Sequence, residues 1–161
     1  MSVDLQQPPY KSSSPAIDST QIVGAVVIAR DLQKSRMFYE DMLGLQCAVI
    51  GPGRMLVRSD PRLMPSGVSR PLMLDVRQGE VVNPQRMLHH WGIDLATKGA
   101  VDAMRERLVA NREAYGLDVI QEASFNHGAY SFYFQDLDSN WWEFQFVPKR
   151  PVGPLDLGDV A

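Results

Sequence analysis

Residues 136–146 run Asp136-Leu137-Asp138-Ser139-Asn140-Trp141-Trp142-Glu143-Phe144-Gln145-Phe146. The first five form a polar turn, and the next six alternate so as to predict a strand. Alternation puts Trp141, Glu143 and Gln145 on one face and Trp142, Phe144 and Phe146 on the other. Ala129 to Gln135 reads as the preceding strand, joined to this one by the turn, with a further strand near Asp118 to Glu122.

Upstream, His90 to Ala96 predicts another strand, with His90, Gly92 and Asp94 on one face and Trp91, Ile93 and Leu95 on the other. Thr97 caps a helix carrying Val101, Met104 and Leu108, and Gly116 closes it. The unit is therefore strand, helix, three strands. If its first and last strands are neighbours, the His90 imidazole and the Glu143 carboxylate converge on a point, as a borderline divalent metal requires. His89 points to the opposite strand face and reads as a surface or helix-contacting residue.

The same order occurs earlier in the chain. Ile22 to Ala29 predicts a strand, Asp31 an N-cap, and Leu32, Phe38, Tyr39, Met42 and Leu43 one buried helical stripe that Gly44 ends. Strands follow near Gln46 to Ile50, Arg54 to Arg58 and Leu72 to Val76, separated by Gly51, Pro52, Gly53 and the Pro61 to Pro71 loop. The two copies are unequal, because Gly24 and Met73 stand where the second copy has His90 and Glu143. The expected organisation is a flexible Pro- and Ser-containing arm at 1–19, a first module at 20–78, a linker at 79–88, a second module at 89–148 and a tail at 149–161.

Composition narrows the function. A chain of 161 residues with 45% hydrophobic content can bury a core. A net charge of −3 with dispersed basic residues argues against a nucleic-acid partner. No apolar run is long enough to span a membrane and no signal peptide is recognisable, so a cytoplasmic protein is expected. Cys47, the single cysteine, reads as a half-buried strand residue.

Val27-Ile28-Ala29-Arg30-Asp31-Leu32-Gln33-Lys34-Ser35, Phe38-Tyr39 and Leu43-Gly44-Leu45 resemble the opening pattern of the vicinal oxygen chelate superfamily. That superfamily includes glyoxalase I, extradiol dioxygenases, fosfomycin-resistance enzymes and bleomycin-binding proteins. His90-Trp91-Gly92-Ile93 and Asp136 through Glu143 resemble its closing pattern. The resemblance, over about residues 20–148, implies an α+β fold of two tandem βαβββ modules forming a cup-shaped mixed sheet, with His90 and Glu143 as metal ligands. Gly24 and Met73 occupy the matching first-module positions, and Asp75, on the same strand face as Met73, is the candidate third ligand.

Asn126-His127-Gly128 and Ser131-Phe132-Tyr133 resemble the segment of extradiol enzymes that supplies a proton-handling His and a substrate-binding Tyr, with His127 about three residues nearer the Tyr than usual. His127 and Tyr133 are thus the candidate catalytic residues. Trp141, Val26, Ile28 and Met73 are the candidate substrate pocket, suited to an aromatic or hydrophobic small molecule. The implied function is a metalloenzyme using Fe2+, with Mn2+, Ni2+ or Zn2+ as alternatives, on a catechol-like substrate in the manner of an extradiol dioxygenase. The alternatives are a metal-free small-molecule-binding protein of the bleomycin-resistance type and a glyoxalase-like lyase or isomerase. A homodimer is the partner state the resemblance implies.

Overall fold

A computed structural model describes residues 24–60 and 72–148; the expected arm, the Pro61 to Pro71 loop and the tail lie outside the described residues. The first module comprises β1 (Gly24–Ala29), α1 (Leu32–Asp41), β2 (Leu45–Gly51), β3 (Arg54–Ser59) and β4 (Met73–Gln78). The second comprises β5 (His90–Asp94), α2 (Lys98–Ala110), the short α3 (Arg112–Tyr115), β6 (Ser124–Asn126), β7 (Ala129–Gln135) and β8 (Trp141–Phe146). Each module is a four-stranded mixed sheet, ordered β1-β4-β3-β2 and β5-β8-β7-β6. The first and last strands of each run parallel and adjacent. This is the glyoxalase-like α+β arrangement, and among the described residues no helix is long and apolar enough to cross a membrane.

Local chemistry sets the helix ends. The Asp31 carboxylate accepts from the backbone N–H groups of Gln33 at 3.0 Å and Lys34 at 3.1 Å, satisfying donors that the first helical turn leaves unpaired. Thr97 accepts from Ala100 N–H in the same way. Gly44 and Gly116 take φ of 66° and 65°, the left-handed conformation that ends a helix most cheaply in glycine.

The core lies on the helix-facing side of both sheets. Val27, Ala29, Met55, Val57, Leu74 and Val76 are buried in the first module, and Phe132, Phe134, Trp142 and Phe144 in the second. Helix α1 joins the two sets: Phe38 meets Phe134 with ring centroids 6.4 Å apart, and Tyr39 meets Trp142 at 5.5 Å. Edge-on and tilted aromatic pairs of this kind add to what burial alone supplies.

A polar lock lies inside this apolar contact. The buried Asp136 carboxylate accepts from the backbone N–H groups of Asp138 and Asn140, both at 2.9 Å, and from Asn140 Nδ2. It also accepts from Trp142 Nε1 at 3.1 Å and from the Tyr39 hydroxyl at 2.8 Å. Asp138 accepts from Arg30 N–H at 2.8 Å and Ser35 Oγ at 2.7 Å, while Asn140 Nδ2 donates to the Ile28 carbonyl at 3.1 Å. The second-module turn thereby holds the end of β1 and the start of α1.

The segment Asp118 to Glu122 departs from expectation. It forms only an isolated bridge between Ile120 and Phe134, and the module's second strand is β6, shifted to Ser124–Asn126. Arg105 of α2 donates to the Gln121 carbonyl at 2.8 Å and pairs with the Glu122 carboxylate, drawing the backbone toward the helix where a ladder would have continued.

Burial pushes the Asp136 carboxyl above its ordinary value, while its donors pull the other way. Asp136→Ala should therefore leave the Tyr39, Trp142 and turn N–H donors stranded and cost about 3 kcal/mol or more of stability. Urea unfolding followed by tryptophan fluorescence would read this as a lower midpoint at unchanged slope.

Candidate functional site

Parallel pairing of β5 with β8 sets Gly92 opposite Glu143 and His90 opposite Trp141, so His90 and Glu143 are diagonal neighbours on one face. His90 Nε2 lies 3.2 Å from Glu143 Oε2, with the His90 side chain 25% exposed and the Glu143 side chain 8%. His90 Nδ1 lies 2.8 Å from the Met87 carbonyl, a partner that accepts only, so Nδ1 carries a proton. That leaves Nε2 at hydrogen-bond distance from a carboxylate oxygen, an approach that a shared cation would bridge.

Tyr133 stands directly across from Glu143 in the β7–β8 ladder. Its ring meets the His90 imidazole edge-on, with centroids 4.9 Å apart. Burial, reinforced by hydrogen bonding and by the charge of Glu143, raises the phenol above its ordinary value. The hydroxyl is thus a neutral donor at physiological pH.

These three residues line a cleft of about 530 Å3. His127 reaches its wall from the two-residue hairpin loop between β6 and β7, where His127 and Gly128 take φ of 52° and 83°. No hydrogen bond joins His127 to His90, Glu143 or Tyr133 among the described residues. The remaining lining is mostly polar and includes Ser131, Gln145, Gln121, Ser124 and Asn126, with Met87, Leu88 and Ala129 as its apolar part.

Ser131 and Gln145 carry a sequence signal of their own: each lies two residues from Tyr133 or Glu143, and therefore on the same strand face. Ser131 Oγ is buried with no hydrogen-bond partner of normal geometry among the described residues, although it lies near enough to Tyr133 to act against the rise in its pKa. A buried hydroxyl in that state is a group a ligand would satisfy. Gly92 has its own packing reason, since a Cβ there would lie 3.2 Å from the Gln145 amide nitrogen.

The other candidates do not line this cleft, although Trp141 is the register partner of His90. Val26, Ile28 and Met73 are on the first module and Trp141 at the start of β8, and none lines it. His89 is exposed. A Cβ on Gly24 would stand 2.4 Å from the Met73 carbonyl oxygen, so that position is closed to any side chain. Asp75 accepts from Arg54 Nε and Nη2, both at 2.9 Å, and from Arg77 Nη2 at 3.0 Å. Its carboxylate is engaged by guanidinium groups of its own module.

In donor chemistry the His90–Glu143 pair fits a borderline divalent metal, with Nδ1 held by a backbone carbonyl as ligating imidazoles commonly are. It supplies two ligands. Among the described residues no group of three or more His, Cys, Asp or Glu side chains could hold a metal ion.

No protein-family model matches the chain, and no curated protein does. Solved structures do. A possible glyoxalase from Bacillus cereus aligns with TM-score 0.59 and 20% identity over 78% of this chain and 98% of that one. The fosfomycin resistance protein FosX from Listeria monocytogenes, complexed with Mn(II) and sulfate, aligns with TM-score 0.57 and 17% identity over 81% and 90%. A glyoxalase/bleomycin resistance protein/dioxygenase from Nocardioides aligns with TM-score 0.56 and 17% identity over 86% and 91%. At these identities the likeness is one of fold.

The hydrogen bonds from Arg54, ahead of those from Arg77, hold the Asp75 carboxyl at about 2, below the usual 3.8. Its contribution to stability should be complete above pH 3.8 and disappear as pH falls from about 4 to 2. Carboxyl-carbon NMR should place the Asp75 midpoint near 2 in the native chain and distinctly higher in Arg54→Ala.

Proposed function

We propose that the chain is an enzyme acting on a small oxygen-bearing compound held in the His90–Glu143 cleft, with a divalent metal bound by His90 Nε2 and the Glu143 carboxylate. The observation that carries this is the 3.2 Å approach of Nε2 to the carboxylate, with Nδ1 tied to the Met87 carbonyl. With two protein ligands, the remaining coordination positions fall to substrate and water oxygens. When bound, the metal would polarise a substrate oxygen and ease loss of a proton from it or from an adjacent carbon. Mn(II) in the FosX structure, a protein of the same fold, supports a hard or borderline ion here, with Fe2+, Ni2+ and Zn2+ as the other choices.

The chain's own groups then have distinct parts. The Tyr133 hydroxyl donates to a substrate oxygen and steadies charge developing there. Ser131 Oγ and the Gln145 amide orient the substrate from the floor of the cleft. His127, at the rim, is placed to exchange a proton with solvent. The amides and hydroxyls of the lining suit a polar, oxygen-rich substrate better than a bare catechol-like ring. Proton-transfer chemistry of the lyase or isomerase kind is what these groups serve most directly, ahead of extradiol cleavage.

A metal-free ligand-binding protein is the second reading. It is favoured by the closed Gly24 position and by the guanidinium groups that occupy Asp75. A homodimer belongs to the same proposal, since the cleft is lined by the second module and the end of the linker before it and stands open for a second copy to cover.

Untagged protein equilibrated with Mn(II) or Fe(II) and freed of excess should retain about one equivalent by mass spectrometry. His90→Ala and Glu143→Gln should each weaken retention by about 100-fold or more. Protein that takes up no metal, yet binds small ligands equally well with and without His90, would leave the binding-protein reading in its place.

A further inference from the structure

The linker that leads into β5 is anchored at one point. From Val82 to His89 every residue is exposed except Met87, which is half-buried. A turn closed by the His89 N–H on the Arg86 carbonyl at 2.8 Å carries Met87, which borders the His90–Glu143 cleft. Gln121 Nε2 donates to the Met87 thioether at 3.2 Å, and the Met87 backbone carbonyl lies 2.8 Å from His90 Nδ1. The contact with Gln121 is the only hydrogen bond made by a side chain between Val82 and His89 among the described residues.

Gln121 is itself held from two sides. Its backbone N–H donates to the Tyr133 carbonyl on β7 at 2.9 Å, and its carbonyl accepts from Arg105 Nε on α2 at 2.8 Å. The side chain therefore extends from a fixed backbone. The segment before β6 thus ties α2 and β7 to the linker, and through Met87 to His90.

The consequence is chemical. A neutral imidazole carries its proton on one nitrogen, and the hydrogen bond made at one nitrogen decides the state of the other. Two acceptors compete for that proton: the Met87 carbonyl at Nδ1, and the Glu143 carboxylate 3.2 Å from Nε2. With the proton on Nδ1, the Nε2 lone pair is open to a cation shared with Glu143. With the proton on Nε2, the ring donates to Glu143 and that position is closed. A carboxylate is the stronger acceptor of the two, so the carbonyl prevails only if it is held in place.

We propose that Gln121 is a positioning residue for His90: by holding the Met87 thioether it keeps the Met87 carbonyl on Nδ1 and leaves the Nε2 lone pair facing Glu143. The use of that lone pair for a metal rests on the function proposed above; the choice of tautomer does not.

The test reads the ring directly. Long-range proton–nitrogen NMR spectra of the metal-free, 15N-histidine-labelled full chain in mildly alkaline buffer distinguish a protonated from a bare ring nitrogen, with His90→Gln assigning the signals. The native ring should show Nδ1 protonated and Nε2 bare. Gln121→Leu and Met87→Leu should each move the ring toward the Nε2–H form. Leucine nearly conserves the volume of methionine, so Met87→Leu removes the polar contact and keeps the packing. The double variant should move the ring no further than either single one, because both remove the same contact. Met87→Gln, whose amide oxygen accepts from Gln121, should keep the native tautomer. With Mn(II) added, each leucine variant should retain metal about tenfold more weakly than the native chain. A native ring protonated at Nε2, an unchanged tautomer in either leucine variant, additive shifts in the double variant, or loss of the native tautomer in Met87→Gln would each overturn the proposal. A chain that shows the expected tautomers but takes up no metal would overturn the metal reading of the cleft and leave the role of Gln121 standing.

Discussion

The Asp136 carboxylate holds this molecule together. It is buried, its pKa is raised by desolvation, and it is nonetheless surrounded by donors from the turn, from Trp142 and from Tyr39. Burying a carboxylate is costly unless such donors replace water. Here the same donors fix the geometry of the turn that starts β8 and attach it to α1. Asp138 and Asn140 extend the attachment to Arg30, Ser35 and Ile28. The position of Glu143 on β8, and hence its approach to His90, follows from where this turn is held.

With that frame fixed, the two modules present different faces. The second has a cleft with imidazole, carboxylate, phenol and an unpaired buried hydroxyl. The first has, at the matching strand positions, a glycine with no room for a side chain and a methionine, and it carries a guanidinium cluster around Asp75. Fold likeness to a possible glyoxalase, to FosX and to a glyoxalase/bleomycin resistance/dioxygenase protein is compatible with this, because the fold is set by the helix-facing sides and the His90–Glu143 cleft lies on an opposite side.

Much of this was readable beforehand. The strand–helix–three-strand order, the caps at Asp31 and Thr97, the breaks at Gly44 and Gly116, and the face shared by Glu143 and Gln145 all follow from local rules. The expected strand from Asp118 to Glu122 failed because Arg105, on another element, competes for Gln121 and Glu122. Trp141 stands beside His90 in the ladder, whereas Val26, Ile28 and Met73 belong to the first module, and periodicity carries no information about where their face lies relative to His90.

The sequence by itself determined the fold and the pairing of His90 with Glu143, because side-chain alternation and capping act over a few residues and parallel pairing of the first and last strands then brings the two together. Tertiary structure alone decided that Nδ1 of His90 binds the Met87 carbonyl, that Asp75 is taken by Arg54 and Arg77, and that Gly24 is closed by the Met73 carbonyl. Each of these depends on distances between chain segments whose approach is set by packing, and no local pattern encodes such a distance.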